Sequence, residues 1–289
     1  MKSGRNGGEH WPGRENAPGQ MLNAELISNL MTPPARLQLS RLTVLDITDS
    51  TNSALQRLPL KQQHAHAILA ESQSNGRGRR ARQWFSPAGC NIHLSFGWQF
   101  SNGQHQLSTL PLVAAVCACR ALSRAGLEGH GIKWPNDVLI ENQKLAGVLV
   151  EMQAVAGGPA TAVIGLGLNV NMPPKSPEGQ QAGEIIDRRW TDLSTWLKQP
   201  GPFCRNTMAA LLLDELINGT RQYETDGFSA FQSDWQRLDL LAGRNIEIRH
   251  QNQLLSGVAR GIDAAGGLRV ETAGDIGVFH AGEVSVFYD

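Results

Sequence analysis

The sequence has little cysteine and no excess of either charge. Its 289 residues include four cysteines, and none forms the C-x-x-C pair that is typical of zinc ribbons and thioredoxin-like redox sites. Cys117 and Cys119 stand two apart in an apolar run that predicts a helix, where they face different ways, so no shared metal site or disulfide is expected. Lys plus Arg and Asp plus Glu number 26 each, which gives no support to sequence-nonspecific nucleic-acid binding.

Targeting and membrane signals are also missing. No stretch of about eighteen consecutive apolar residues occurs, so no membrane span is expected. Residues 1–20 are glycine-rich and polar, without the apolar segment of a signal peptide. They predict a flexible leader, and the protein is expected in the cytoplasm.

Two patterns of secondary structure divide the chain. In residues 22–239 strand patterns cluster between helix patterns, which predicts an α+β domain with a mixed or antiparallel sheet. In residues 240–289 five short β-rich runs are separated by glycine turns, as in a small β-barrel. We therefore expect a leader (1–21), a larger α+β domain and a C-terminal barrel.

Five helices are predicted in the larger domain, two of them the short segments Ser53–Leu58 and Thr191–Lys198. Leu22–Leu30 is expected to be a helix that the pair Pro33-Pro34 closes off. Leu110–Arg124 and Asn206–Tyr223 are longer helix candidates, the first of them strongly apolar.

The most informative segment is a loop rich in glycine and arginine, Gly76–Pro87. Glycines let backbone amides approach a ligand, and arginines bind phosphate or carboxylate through forked, charge-assisted bonds. Such a loop is expected to close over an anionic ligand. Arginine–glycine segments also occur in RNA-binding proteins, so the loop alone leaves both interpretations open.

Lys133-Trp134-Pro135-Asn136-Asp137 follows a short predicted strand. A carboxylate beside a phosphate-handling lysine typically serves Mg²⁺ or a ligand hydroxyl. Asn and Asp at a strand end are more often plain turn formers, so the motif alone does not decide its role.

Lys144 opens an otherwise apolar strand, Lys144–Glu151. A partly desolvated cation there would stabilise a phosphoryl transition state, although a lysine snorkelling at a strand end fits equally well. Gly147 leaves space for a ligand lying flat against the strand. Gly165–Asn171 lacks the last glycine of a dinucleotide fingerprint and does not lead into a helix, so a dinucleotide site is not predicted.

Together and in this order, these motifs resemble the biotin protein ligase family. The resemblance runs from about Leu22 to Glu283. The matching segments are Asp49–Asn52, the Gly/Arg loop with Trp84 and Ser86-Pro87, Lys133–Asp137, Lys144–Glu151, Gly165–Asn171 and Gly282–Ser285.

The resemblance implies a fold and a reaction. The fold would be α+β, with a class II synthetase-like mixed or antiparallel sheet and a small C-terminal SH3-like barrel. The enzyme would activate biotin with ATP and Mg²⁺ to biotinyl-5′-AMP. It would then pass biotin to a lysine of the biotin carboxyl carrier protein of acetyl-CoA carboxylase.

The resemblance also assigns residues to the substrates. The catalytic residues would be Lys144 and Arg79. The biotin pocket would be formed by Ser50, Thr51, Asn52, Gln73, Arg77, Gly78, Arg79, Lys144 and Gly147. The adenylate would be contacted by Gly76, Trp84, Asn136, Asp137 and Asn169, with Asp137 also a candidate Mg²⁺ ligand. Hydroxyls and amides suit the ureido ring of biotin, which offers one carbonyl acceptor and two N–H donors.

Two positions depart from the family pattern. Ala81 stands where the loop usually has its third glycine, which would cost on the order of 1 kcal/mol if the site needs a positive φ. Phe287 stands where some members carry an arginine, which leaves the barrel's part in the ATP site open.

The main alternative is a lipoate or octanoate protein ligase of the same fold, and the second is a nucleic-acid-binding protein that uses the Arg-rich loop.

Some family members carry an N-terminal winged helix that represses the biotin operon. About twenty residues precede the match and show no helical periodicity, so no operator binding is expected. A homodimer paired through the edge of the central sheet is a further expectation.

Overall fold

The structure is a computed structural model that describes residues 21–101, 107–154, 159–172, 189–197, 204–250, 253–281 and 284–287. Residues 1–20, for which a flexible leader is predicted, lie outside these ranges. So do Gly282 and Glu283 of the last motif.

A mixed sheet frames the larger part of the chain. Its strands are β1 (Arg41–Thr48), β2 (His66–Gln73), β3 (Ile92–Phe100), β4 (His130–Lys133), β5 (Asp137–Ile140), β6 (Gln143–Ala154) and β7 (Ala160–Leu168). The seven strands lie in the order β1-β2-β3-β7-β6-β5-β4. The β1–β2 pair is parallel and the other pairs are antiparallel, which confirms the predicted mixed sheet.

Helices cover both faces of this sheet. They are α1 (Ala24–Leu30), α2 (Pro33–Gln38), α3 (Thr51–Gln56), α4 (Leu60–Gln63), α5 (Leu110–Arg124), α6 (Leu193–Trp196), α7 (Arg205–Asp226) and α8 (Gln232–Leu238). Helices α5 and α7 pack together on one face and form the main core with the apolar side chains of the strands. Helix α3 lies on the other face, over β2, β3 and β7, and leaves the rest of that face open.

Helix α5 is strongly apolar. The segment Leu107–Arg124 has a mean hydropathy of 1.3 and is the one described helical stretch that is long and apolar enough to cross a membrane. Within the protein 67% of it is buried. The core helix of a folded domain can meet the same criteria of length and hydropathy. Cys117 and Cys119 are both buried there as free thiols.

The pair Pro33-Pro34 follows the end of the first helix, as predicted, and also begins the next one. Helix α1 ends at Leu30, and the two prolines occupy the first positions of α2. Proline is favoured there because its missing N–H has no intrahelical partner in the first turn and its φ is already helical.

The C-terminal part forms a second sheet. Its strands are β8 (Asn245–His250), β9 (Gln253–Ile262), β10 (Leu268–Thr272), β11 (Asp275–Phe279) and β12 (Val284–Phe287). The five strands are antiparallel in the order β11-β10-β9-β8-β12. This architecture is consistent with the predicted SH3-like barrel, while the division of the chain at residue 239 stays a prediction.

The barrel is attached directly behind the Lys133–Asp137 motif. The indole Nε1 of Trp134 donates to the carbonyl of Gly266, in the turn before β10, at 2.9 Å. The backbone N–H of Leu240 donates to the carbonyl of Ile132 on β4 at 3.0 Å. The motif's tryptophan therefore anchors the barrel to the sheet.

A buried ion pair joins helix α7 to the sheet. Arg205 Nη2 lies 2.7 Å from Glu71 Oε2, and the two side chains are 2% and 7% exposed. Arg205 Nη1 also donates to the carbonyl of Asn91, and Glu71 Oε1 accepts the N–H of Leu22. Because both charges are buried, each is stabilised mainly by its partner.

Removing one member of this pair should therefore destabilise the fold. We expect Arg205→Met to lower the free energy of unfolding by about 3–5 kcal/mol, because it leaves the Glu71 carboxylate buried without its counter-ion. The double variant Arg205→Met/Glu71→Met should lose clearly less than the single one. Urea denaturation measures both, and a double variant less stable than Arg205→Met would contradict this reading.

Candidate active site

A cavity of about 510 Å³ opens on the face of the sheet that carries α3. Among the described residues it is lined by every site residue predicted from the sequence except Gly76. Those residues are Ser50, Thr51, Asn52, Gln73, Arg77, Gly78, Arg79, Trp84, Asn136, Asp137, Lys144, Gly147 and Asn169. The structure thus brings together residues of five motifs that lie apart in the sequence.

The floor of the cavity contains a row of four residues, one from each of four neighbouring strands. His93, Gly167, Gly147 and Asp137 are consecutive partners across β3, β7, β6 and β5. The two central positions are glycines, so a trough about two strands wide separates His93 from Asp137.

The indole of Trp84 lies in this trough. A Cβ added to Gly167 would overlap the indole, and one added to Gly147 would stand 3.2 Å from its Cζ3. The space predicted beside Gly147 therefore exists, and a side chain of the Gly/Arg loop fills it.

Lys144 stands at the β6 end of the trough. Its Nζ lies 2.7 Å from Asp137 Oδ1, and the Lys144 side chain is 22% exposed. The same ammonium is 5.2 Å from the centroid of the Trp84 ring. A lysine so placed is partly desolvated, as predicted, and its charge acts through a medium less polar than water.

The backbone of Lys144 is held on both sides by the segment at residues 189–191. Its N–H donates to the carbonyl of Arg189 at 2.9 Å, and its carbonyl accepts the N–H of Thr191 at 3.0 Å. Asn169 Nδ2 donates to the carbonyls of Lys144 and Thr191 at 3.3 and 3.0 Å. Asn169, predicted to contact the adenylate, thus also fixes the strand end from which Lys144 projects.

A cluster of hydroxyls and amides forms the other end of the cavity, at the start of α3. The N–H and the hydroxyl of Thr51 both donate to Gln73 Oε1, at 2.9 and 3.2 Å. Ser95 Oγ lies 2.8 Å from Thr51 Oγ1 and 2.5 Å from Asn52 Oδ1. Asn52 Nδ2 donates to Glu151 Oε2 at 2.7 Å.

Sequence reasoning gave no role to Ser95 or Glu151. Ser95 lies between Leu94 and Phe96 in a segment where apolar residues alternate with small or polar ones. Nothing in that pattern distinguishes it from a solvent-facing position. The alternation did place it opposite the apolar core, which is the face that carries the cavity.

Two of the four arginines of the Gly/Arg loop, Arg77 and Arg79, point inward. Arg77 Nη2 lies 2.8 Å from Glu151 Oε2. Arg79 Nη1 donates to Asn136 Oδ1 at 3.0 Å, and its Nη2 donates to the carbonyl of Ala281 in the barrel. Burial lowers the pKa of Arg79 from its ordinary value. Arg79 therefore links the loop, the Lys133–Asp137 motif and the barrel.

The cost expected at Ala81 depended on a positive φ at that position. The residue of this loop with left-handed backbone angles is Arg80, at φ 57° and ψ 42°. The short 3₁₀ turn Arg79–Ala81 places the reversal one residue earlier, so the strain of a side chain at positive φ falls on Arg80.

The barrel reaches the cavity through the carbonyl of Ala281 and the side chain of Val286. Phe287 packs instead beside Arg249, whose guanidinium carbon is 5.4 Å from the ring centroid. The residue that stands in place of the family's arginine is therefore not among the residues that line the cavity.

Asp137 is the one carboxylate among the described residues that line the cavity. No group of three or more His, Cys, Asp or Glu in the described ranges could hold a metal ion by itself. Mg²⁺ commonly binds one or two carboxylates together with substrate phosphates and waters. Asp137 fits that mode, in which the nucleotide supplies most of the oxygen ligands.

Solved structures with this fold include ligases. The biotin protein ligase from Aquifex aeolicus, in complex with biotin and ATP, matches with a TM-score of 0.73 and 25% identity, over 86% of this chain and 100% of that one. The fold and the cavity thus define an enzyme that ligates an acyl ligand to a protein.

Sequence comparison identifies the family. The model of the biotin/lipoate A/B protein ligase family matches residues 44–169, and that of the biotin protein ligase C-terminal domain matches residues 242–286. The bifunctional ligase/repressor BirA of Escherichia coli is 33% identical, over 88% of this chain and 74% of its own length. The biotin–[acetyl-CoA-carboxylase] ligase of Paracoccus denitrificans is 29% identical, over 76% and 90%. The chain belongs to the biotin/lipoate A/B protein ligase family, which confirms the resemblance seen in its motifs.

Two glycines of β7, Gly165 beside α3 and Gly167 beneath Trp84, should respond differently to substitution. A Cβ at Gly165 would overlap the Asn52 amide, which Ser95 and Glu151 hold in place. We expect Gly165→Ala to cost about 1–3 kcal/mol of stability, because a fixed neighbour must move.

Gly167→Ala meets only the indole of Trp84, which can withdraw into the open cavity, so its cost should be smaller. Urea denaturation of both variants compares them on one scale. Equal losses would show that Trp84 is held as firmly as Asn52.

Proposed function

We propose that the protein activates biotin with ATP to biotinyl-5′-AMP and transfers the biotinyl group to a lysine of the biotin carboxyl carrier protein of acetyl-CoA carboxylase. One observation carries the proposal: a single cavity has Lys144, paired with Asp137, at one end and the cluster of Thr51, Asn52 and Gln73 at the other. An acyl ligand would place its carboxylate near Lys144 and its polar ring beside the cluster of Thr51, Asn52 and Gln73.

In the first step a biotin carboxylate oxygen bonds to the α-phosphorus of ATP, and the bond to pyrophosphate breaks. Two anions must approach, and negative charge builds on the phosphoryl oxygens. Lys144 lies where a fixed, partly desolvated cation can stabilise that charge. Asp137 holds the ammonium in position, and Arg79 adds a second cation beside Asn136. Mg²⁺ held by Asp137 and the nucleotide phosphates would neutralise charge on the departing pyrophosphate.

The second step needs no nucleophile from the enzyme. The carrier lysine attacks the carbonyl carbon of the mixed anhydride, and AMP leaves with the bonding electrons. The Gly/Arg loop contributes by excluding water from the anhydride in the meantime. Its contacts to Glu151, Asn136 and the barrel support a closed position over the cavity.

The hydrogen-bonding cluster supports biotin over lipoate. The ureido ring of biotin offers two N–H donors and one carbonyl, whereas the dithiolane ring of lipoate offers neither. Two of the relatives named above are a biotin protein ligase and a biotin–[acetyl-CoA-carboxylase] ligase.

The nucleic-acid alternative receives little support from the loop. Arg77 and Arg79 contact Glu151 and Asn136, which leaves Arg80 and Arg82 as the exposed arginines of the segment. The chain as a whole carries no excess of positive charge. The homodimer, the cytoplasmic location and the lack of operator binding remain proposals.

The central role of Lys144 is testable by substitution. We expect Lys144→Ala to slow adenylate formation by about a hundredfold or more, because it removes a cation that acts on the transition state. Single-turnover formation of biotinyl-AMP measures this, with Lys61→Ala, an exposed lysine on α4, as the matched control. A loss of less than about tenfold would refute the role given to Lys144.

Ligand pairing gives a second test. Biotin and ATP together should raise the melting temperature more than either alone, because the tightly held adenylate forms only when both are present. Lipoate in place of biotin should give no such joint shift. Differential scanning fluorimetry measures the melting temperature in each case. A joint shift with lipoate and ATP, without one for biotin and ATP, would favour the lipoate alternative.

A further inference from the structure

His93 is a buried side chain of the cavity that no sequence motif singled out. It lies on β3, lines the cavity and is 1% exposed. Neither of its ring nitrogens has a hydrogen-bond partner among the described residues. A buried polar group without a partner is destabilising, so an unpaired imidazole on the floor of a ligand cavity needs an explanation.

The position of His93 places it beside the hydrogen-bonding cluster. It stands two residues before Ser95 on the same face of β3 and pairs in register with Gly167. Ser95 contacts Thr51 and Asn52. The indole of Trp84 covers Gly167 and so lies between His93 and Lys144. His93 therefore borders the polar-ring end of the cavity, away from the phosphate end.

The cluster itself has few hydrogen-bond acceptors left. Gln73 Oε1 already accepts two hydrogens from Thr51, and Gln73 Nε2 donates to Ser86. The Asn52 amide is directed to Glu151 and Ser95. A bound ureido ring brings two N–H donors. The Thr51 hydroxyl already bonds to Gln73 and Ser95, so a further acceptor beside the cluster would help to satisfy those donors.

His93 is suited to fill this gap. Burial, with a smaller effect of the Arg205 charge, lowers the pKa of His93 to about 3, so the ring is neutral at physiological pH. A neutral imidazole has one N–H donor and one acceptor nitrogen.

We propose that a ring nitrogen of His93 accepts an N–H of the ureido ring of biotin and so helps to select biotin over lipoate. This inference rests on the proposed function. It assigns His93 as a binding residue that the family motifs do not contain.

The test compares His93→Phe, which keeps a buried ring without polar atoms, with His93→Gln, which keeps an acceptor. His93→Phe should weaken biotin binding about tenfold or more and leave the KM for ATP unchanged within error. The same variant should melt at a higher temperature than the wild type without ligand, because it removes two unpaired polar atoms. His93→Gln should restore much of the affinity.

Desthiobiotin, which keeps the ureido ring and lacks the sulfur, identifies the contact. It should lose as much affinity to His93→Phe as biotin does. Isothermal titration with biotin and desthiobiotin, ATP kinetics and melting curves read these effects separately. A purely structural role would lower the melting temperature and weaken every ligand alike.

Three results would overturn the inference: unchanged biotin affinity in His93→Phe, a rise confined to the KM for ATP, or a loss of biotin affinity that desthiobiotin does not share. Failure of the proposed function is separate, since it would appear as a wild-type protein that forms no biotinyl-AMP. If the wild type forms it and His93→Phe binds biotin normally, only the inference about His93 fails.

Discussion

The ion pair between Lys144 and Asp137 fixes where chemistry can occur in this protein. Asp137 lies in the cross-strand row that also contains Gly147 and Gly167, so the ammonium that it holds at 2.7 Å faces a floor without side chains. The Trp84 indole occupies this trough, so the Lys144 ammonium is partly desolvated. Such a cation exerts more force on an anionic ligand than the same cation in water. The hydrogen bonds to Arg189, Thr191 and Asn169 keep this strand end in register.

Around that pair lie a closely hydrogen-bonded cluster and a loop attached by fewer contacts. Thr51, Asn52 and Gln73 are fixed by bonds to each other and to Ser95. The Gly/Arg loop is tied by side chains alone at Glu151, Asn136 and the Ala281 carbonyl. Ion pairs at partly exposed sites are individually weak, roughly 0–1 kcal/mol, so the loop can exchange them for contacts to a ligand. Through Arg79 the barrel takes part in the closed arrangement of the site.

Local patterns predicted most of the fold, because alternation in β3 and the apolar run of α5 are properties of neighbouring residues. The mixed sheet and the barrel followed from the same signals. The sequence could not show the register that aligns His93 with Gly167, Gly147 and Asp137, because register depends on pairing between distant strands. The ion pair of Arg205 and Glu71 also joins residues that are far apart in the sequence, so no local pattern predicts it. Ala81 drew attention through the family pattern, whereas the backbone reversal lies at Arg80.

His93 shows the same limit within the site. A lone histidine in an alternating strand reads as an ordinary core or surface residue, and only the tertiary structure places it on the cavity floor without a partner. The motifs identified the phosphate end of the cavity better than the ring end. Charged and glycine-rich segments are conspicuous in a sequence, whereas single serines and histidines are not.

Biotin-dependent exchange of labelled pyrophosphate into ATP tests the central claim most directly, because it follows the reversal of adenylate formation without any carrier protein. The account predicts exchange when the wild-type protein receives biotin, ATP and Mg²⁺, and none when lipoate replaces biotin. Absence of exchange with biotin, or equal exchange with lipoate, would contradict it.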